Sequence, residues 1–391
     1  DFRLLWIGAL LSNFGGWVQS TAQGWLVYEL TRDVEKLALI GFANMLPVSI
    51  LGPFAGTLTD TLNRRAVLII CQAIFAVNAA FIALATFGGW IEFWHLLMVA
   101  IINGITSTVE MPMRQSLLSK VVPMRLVPVA IPWQAITFNL ARVVGPALGG
   151  ILLHYIGAQA CYSVNAISFF ALIFAVIGIK ADLSATASEP QPIADLLMEG
   201  IKYTFMDVRL KTLFLMEATT AVFGLAYFQF IPAFARDILK VNEIGLSQIY
   251  SAIGIGAVTG LFALTGLGGK PIKANLIRIA MTTLGTFLIL LTLFPVAPLA
   301  YFFFAVLGAS TIMQFNNTNS LFQTIAPDRL RGRVIAMHVW AISGAAPIGL
   351  PLFGRLAKEY GPLVSIRIGG CIVLVAAMLA WIYRSRLKNV E

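Results

Sequence analysis

SLLSKVVPMRL, Ser116 to Leu126, returns 204 positions downstream as SLFQTIAPDRL, Ser320 to Leu330. The same shift, without a gap, carries Gly104 onto Gly308, Gly150 onto Gly354, Gly157 onto Gly361, Gly52 onto Gly256 and Gly56 onto Gly260. Chance does not easily place so many separate matches at one offset, so the chain is read as an internal duplication. Around the two copies lie apolar runs bounded by charge or by Gly/Pro clusters, at 4–30, 37–58, 66–87, 93–112, 128–153, 159–179, 211–235, 246–266, 274–294, 298–318, 334–354 and 363–383. Each can cross a hydrocarbon core of roughly 30 Å as a helix. The shift lays the second run on the eighth, the fourth on the tenth and the fifth on the eleventh. Parallel repeats of six helices are an architecture of secondary transporters, with the substrate path where the two halves meet.

Composition agrees with a lipid solvent. Of 391 residues, 59% are hydrophobic and 12% charged, against roughly 25% charged in soluble chains, and the mean hydropathy is +0.85. An ordinary soluble enzyme is excluded on that ground. The formal charge of +9 is read as lysine and arginine held at one membrane face, not as a nucleic-acid footprint. With the N-terminus in the cytoplasm, 19 of the 27 basic residues fall on the cytoplasmic side and six outside, while Arg142 and Arg367 lie within spans. That bias predicts a multi-pass membrane protein with both termini cytoplasmic. The first run is read as a retained span, not a cleaved leader. Cys71, Cys161 and Cys371 sit in apolar runs without metal or disulfide spacing and are read as packing residues.

Residues 181–210 form a longer connection containing Ser184, Thr186, Ser188, Pro190 and Pro192. The chain is divided accordingly into an N-terminal bundle, 1–180, a cytoplasmic linker, 181–210, and a C-terminal bundle, 211–391. Within the linker, Ile193, Leu196, Leu197, Ile201 and Phe205 share one helical stripe, with Asp195, Glu199 and Lys202 on another. This predicts an amphipathic strut on the inner membrane face.

GPFAGTLTDTLNRR, Gly52 to Arg65, follows the second run. Its glycines permit close helix ends, Asp60 can cap a neighbouring helix, and Arg64 and Arg65 are expected at the anionic lipid face. The stretch resembles the loop signature of the major facilitator superfamily, carried here by Gly56, Asp60, Arg64 and Arg65. The matching loop of the second half, TGLGGKPIK, lacks the aspartate, so any charge latch is one-sided. NLARVVGPALGG, Asn139 to Gly150, places Gly145, Pro146, Gly149 and Gly150 in the fifth span, able to kink and to pack closely. It resembles the span motif of exporters in the superfamily. With WVQSTAQGWLVYELT (17–31), EMPMRQSLL (110–118), FQFIPAFARDIL (228–239) and APDRLRGRVIAM (326–337), the chain resembles the branch of the enterobactin exporters and related drug-efflux proteins. That branch usually carries Asp where this chain has Glu110. The resemblance implies an all-α membrane protein of twelve transmembrane helices in two six-helix bundles. It also implies export of a siderophore, macrolide or other amphiphile.

Few ionisable groups remain inside the spans, and such groups are costly unless they face a cavity or a partner. Glu110 shares a face of the fourth span with Asn103, Ser107 and Arg114, and reads either as half of a gating ion pair with Arg114 or as a proton carrier. Glu217, on a stripe with Thr220, Gly224 and Tyr227, has no local cation but Lys211 and is the leading proton-coupling candidate. His338, opposite Gln134 in the repeat, is a third candidate, with a neutral hydrogen-bonded histidine as its plainer reading. Arg142, on a stripe with Gln134, Phe138 and Gly145, can pair with an acidic substrate or with a carboxylate such as Glu110. Ser12, Gly16, Gln19 and Gln23 on the first span, and Gln314, Asn316, Asn317, Asn319 and Gln323 on the tenth, mark a water-accessible cavity, with interhelical hydrogen bonding as the reading for some of them. Trp17, Trp25, Phe138, Phe315 and Trp340 are its expected aromatic walls.

No phosphate loop, HExxH or CxxC motif is present, so an enzyme is not expected and no cofactor or metal is called for. Transport must then draw on an ion or substrate gradient. The leading expectation is a proton-coupled exporter working by alternating access, with a small molecule, protons and membrane lipids as partners, acting as a monomer. A lipid or lysolipid flippase of the same fold and a non-transporting membrane sensor are the alternatives.

Overall fold

In lipid every backbone N–H and C=O must be satisfied within the chain, which leaves long apolar runs the helix as their form. A computed structural model describes residues 1–181, 183, 193–266 and 272–387. The side chains of 53–61, 118–119, 124, 127–129, 131–132, 135, 193–197, 264–266, 328 and 385–386 stand outside that description. The described chain is almost wholly helical, with short turns between helices. In order come α1 (Phe2–Thr31), α2 (Val34–Thr61), α3 (Arg64–Phe87), α4 (Phe93–Val121), α5 (Val127–Tyr155) and α6 (Ala158–Gly178). The linker helix α7 (Ile193–Met206) follows, then α8 (Val208–Thr219) and α9 (Tyr227–Ala233), then α10 (Glu243–Gly266), α11 (Lys273–Leu293) and α12 (Ala297–Ile325). Last are α13 (Arg331–Val339), α14 (Ala346–Tyr360) and α15 (Pro362–Ile382).

Eleven stretches among the described residues are long and apolar enough to cross a membrane. Helix α1 is long enough, at 30 residues, but is not among the eleven. Ser12, Asn13, Gln19, Ser20, Thr21 and Gln23 dilute its apolar character. Two spans are composite. Wider π-turns at Thr220–Gly224 and Phe234–Ile238 interrupt Val208–Ile238, and one at Trp340–Gly344 interrupts Arg331–Tyr360. The linker helix forms where the amphipathic pattern predicts it. Its Glu199 pairs with Arg329 at 2.6 Å and with Arg333. Asp207 then caps α8 through the N–H groups of Arg209 and Leu210, and the Arg209 guanidinium beside it holds its carboxyl below the usual range.

The chain folds as two compact units. One comprises 1–32, 46–190 and 241–251, and the other 33–45, 191–240 and 252–391. Helices α2 and α10 are therefore each shared between units. In the first unit Leu5, Leu68, Met113, Leu117, Leu172 and Val176 of α1, α3, α4 and α6 form the core. In the second, Leu213, Phe214, Met281, Phe322 and Val334 of α8, α11, α12 and α13 do so. Lipid tails are as apolar as leucine, so close packing and interhelical hydrogen bonds carry the cohesion. Gly256 meets Ala305, Gly260 meets Ala309 and Gly308 meets Ile253, which brings α10 and α12 to near backbone contact.

The repeat is visible as matched contacts within each unit. Arg64 Nε donates to Ser116 Oγ at 3.1 Å, and Lys273 Nζ donates to Ser320 Oγ at 2.7 Å. Cys161 Sγ donates to the Gly149 carbonyl at 3.4 Å, and its match Ser365 donates through Oγ to the Phe353 carbonyl at 2.9 Å. Gly157 and Gly361 open α6 and α15 at φ of 107° and 87°, backbone that a side chain disfavours. Arg65 closes the C-terminus of α6 through the carbonyls of Ile177, Ile179 and Ala181. Arg278 does the same for α15 through Ala380 and Arg384.

Candidate functional site

The second unit buries a polar centre where α8, α12 and α13 meet. Glu217 lies three residues before the π-turn at Thr220–Gly224, and His338 two residues before that at Trp340–Gly344. A π-turn widens the helix and breaks its hydrogen-bond register, a feature that recurs at functional sites. His338 Nδ1 stands 2.7 Å from Glu217 Oε2. Glu217 is fully buried, His338 nearly so, and Glu217 Oε1 has no hydrogen-bond partner among the described residues. Gln314, also fully buried, accepts from Thr220 Oγ1 at 3.0 Å and donates to the Met216 carbonyl at 3.3 Å. The Phe322 ring, 5.7 Å from the imidazole, closes one side. The arrangement can hold a single proton between an imidazole nitrogen and a carboxylate oxygen, with a second oxygen open to receive another.

The remaining candidates of this unit lie around the pair. Asn317 is buried and donates to the Met313 carbonyl of its own helix at 2.7 Å. Tyr227 is buried against Phe304, their rings 6.1 Å apart. Trp340 stacks on Phe214 at 5.9 Å and stays exposed along one side.

In the first unit Glu110 is buried, with its Oε1 3.2 Å from Arg114 Nε and accepting from Gln72 Nε2, also at 3.2 Å. Asn103 accepts from Asn78 Nδ2 at 2.8 Å, and Gln19 from Asn165 Nδ2 at 2.6 Å. Both amides therefore tie helix to helix. Gln23 and Arg142 are half-buried. A cavity of about 240 Å³ lies among α1, α4 and α5. Arg114, Gln134 and Phe138 of the expected set line it, together with Trp6, Asn13, Gln115 and Thr137, which the sequence reading missed. The signal was present but rotated. Asn13 follows Ser12 by one residue, about 100° around the helix, so the stripe through Ser12 and Gln19 faces α6 while Ala9 and Asn13 face the cavity.

Gly145 packs on Trp17, Gly149 on Val18 and Thr21, and Gly150 on Ser247, with Pro146 buried among them. The exporter-like motif thus seats α5 on α1 and on the start of α10. Arg64 is buried, not exposed at the lipid face as expected. Its charge is drawn inward by Ser116, and Arg65 is drawn to the end of α6. Gly56 and Asp60 fall in the last turns of α2, where side chains lie outside the described residues.

Membrane-spanning helices in an internal duplication, with ionisable pairs buried among them, define a multi-pass membrane transporter. The chain belongs to the transmembrane secretion effector family of the major facilitator superfamily, whose model matches residues 1–391. It is 25% identical to the multidrug efflux pump Tap of Mycobacterium tuberculosis over 368 residues, covering 92% of this chain and 87% of that protein. It is 22% identical to the staphyloferrin A transporter of Staphylococcus aureus over 389 residues, covering 97% and 95%. The crystal structure of the nucleoside transporter NupG superposes with a TM-score of 0.76 at 16% identity, covering 99% of each chain.

Proposed function

We propose that this protein is a proton-coupled exporter of a siderophore or another amphiphilic small molecule, working by alternating access. On this reading it is a monomer of twelve spans in the bacterial inner membrane with both termini cytoplasmic. The bundles run over 1–180 and 211–391, joined by the linker 181–210. The observation that carries the reading is the fully buried Glu217, bonded to His338 through one oxygen and without a partner at the other among the described residues. An uncompensated charge at such depth costs several kcal/mol, so the carboxylate favours taking a proton whenever its surroundings open to water. Entry of a proton at Oε1 neutralises the carboxylate and removes the cost of carrying its charge through a closed state. Names among the relatives, multidrug efflux and staphyloferrin A transport, favour an amphiphile as cargo.

Proteoliposomes holding the full chain test this. An imposed proton gradient should drive movement of a carboxylate siderophore. Glu217→Gln should abolish gradient-driven movement while sparing substrate exchange at equal pH. Gradient-driven rates unchanged in Glu217→Gln would sink coupling through this residue, and lipid flipping without a gradient would point to the flippase.

A further inference from the structure

The cavity of the first unit has a chemistry that its relatives' names do not state. Its walls are mostly apolar, from Leu5, Trp6, Met111 and Phe138, and Arg114 is the single charged residue among those that line it. The Nε of Arg114 faces Glu110 at 3.2 Å, whereas its two terminal nitrogens have no partner among the described residues. We propose that the cavity docks the acid group of an amphiphile on those terminal nitrogens, with the apolar body of the ligand against Trp6 and Phe138. The inference rests on the export reading above, of which it names the cargo class: carboxylate-bearing amphiphiles, not lipophilic cations.

Three features support it. A guanidinium is a planar fork that matches a carboxylate with two parallel hydrogen bonds. Here Glu110 meets Nε of that fork, the terminal nitrogens make no hydrogen bond to a described residue, and Arg114 lines the cavity, while Gln72 steadies Glu110 from α3. The wall is set in place before any ligand arrives. Trp6 donates through Nε1 to the Trp133 carbonyl at 3.0 Å, and the two rings meet edge-on at 5.7 Å, so little side-chain freedom is left to lose on binding. Asn13, Gln115 and Gln134 supply neutral hydrogen-bonding groups for the rest of the ligand. A cationic amphiphile would meet Arg114 as its first charge and be repelled.

Equilibrium dialysis of the purified full chain, corrected for empty micelles, tests the assignment with naphthaleneacetate, naphthaleneacetamide and naphthylethylammonium. These probes share one aromatic body and differ in charge. The wild type should bind the acid about tenfold or more tightly than the amide, and the amine most weakly. Arg114→Gln should erase the preference for the acid while keeping amide binding, which also reports that the fold survives. Arg114→Lys, a point charge in place of the fork, should leave a reduced preference. Glu110→Gln should widen the preference, because a competing anion is gone. Acid and amide binding alike to the wild type, an acid preference kept in Arg114→Gln, or one lost in Glu110→Gln, would each overturn the proposal. The assay uses no gradient, so loss of proton-driven transport with the acid preference intact would strike at the coupling reading alone.

Discussion

Glu217 has two oxygens, and one of them has a partner. A buried carboxylate stripped of its remaining hydrogen bond pays the full desolvation cost, whereas a pair removed together leaves no orphan. His338→Ala is therefore expected to lower stability by about 1–3 kcal/mol. Glu217→Leu with His338→Ala should cost less than His338→Ala alone, and thermal unfolding of detergent-purified variants reads the difference. A double variant costing as much as the sum of the two singles would mean that the residues do not act on each other. Sequence reading named both residues, since an acid within a span and a histidine at the matching position of a repeat are visible one by one. Their 2.7 Å contact was not legible. It joins positions 121 residues apart, on helices that no periodicity pairs. The same limit hid Gln72 behind Glu110 and Ser116 behind Arg64.

Among elements, the repeat proved readable well beyond its matched letters. Cys161 and Ser365 are unlike in type, yet each donates to the carbonyl of the helix before it, at Gly149 and Phe353, which are themselves 204 positions apart. Lipid offers no competing partner to a buried hydroxyl, so each bond pins one helix to the next. Cys161→Ser should thus leave stability nearly unchanged, because the hydroxyl takes over the thiol's role, whereas Ser365→Ala should cost about 1 kcal/mol. Melting temperatures of the two variants in one detergent decide this. Equal losses would deny that the two contacts are counterparts. What the repeat could not show were the π-turns. No local residue pattern announces them. In helix α1 the interior amides were legible in sequence but their partners were not, Gln19 being taken by Asn165 of α6.

For the molecule as a whole, the informative helices are α2 and α10, whose two ends belong to different compact units. Near the start of α2, Asp33 and Glu35 meet Lys358 at the end of α14, at 3.2 and 2.7 Å. Near the start of α10, Glu243 meets His154 at the end of α5, at 3.0 Å. His154 and Lys358 are again 204 positions apart, so each half of the duplication lends a helix start to a basic side chain of the other half. Exposed pairs of this kind add little stability, about 0–1 kcal/mol, which suits contacts that form and break in a working cycle. If alternating access requires α2 to leave α14, a covalent bond at this point should stop transport without unfolding the protein. A zero-length carbodiimide can join the Lys358 amine to Glu35 as an amide, because the groups already touch. Treated wild-type protein in proteoliposomes is expected to lose most of its gradient-driven transport, and mass spectrometry should find the linked peptides. Lys358→Arg keeps the charge but has no amine to couple, and should keep transport after the same treatment. Full transport by molecules shown to carry the Lys358–Glu35 link would mean that these helix ends stay together throughout the cycle, and that the moving interface lies elsewhere.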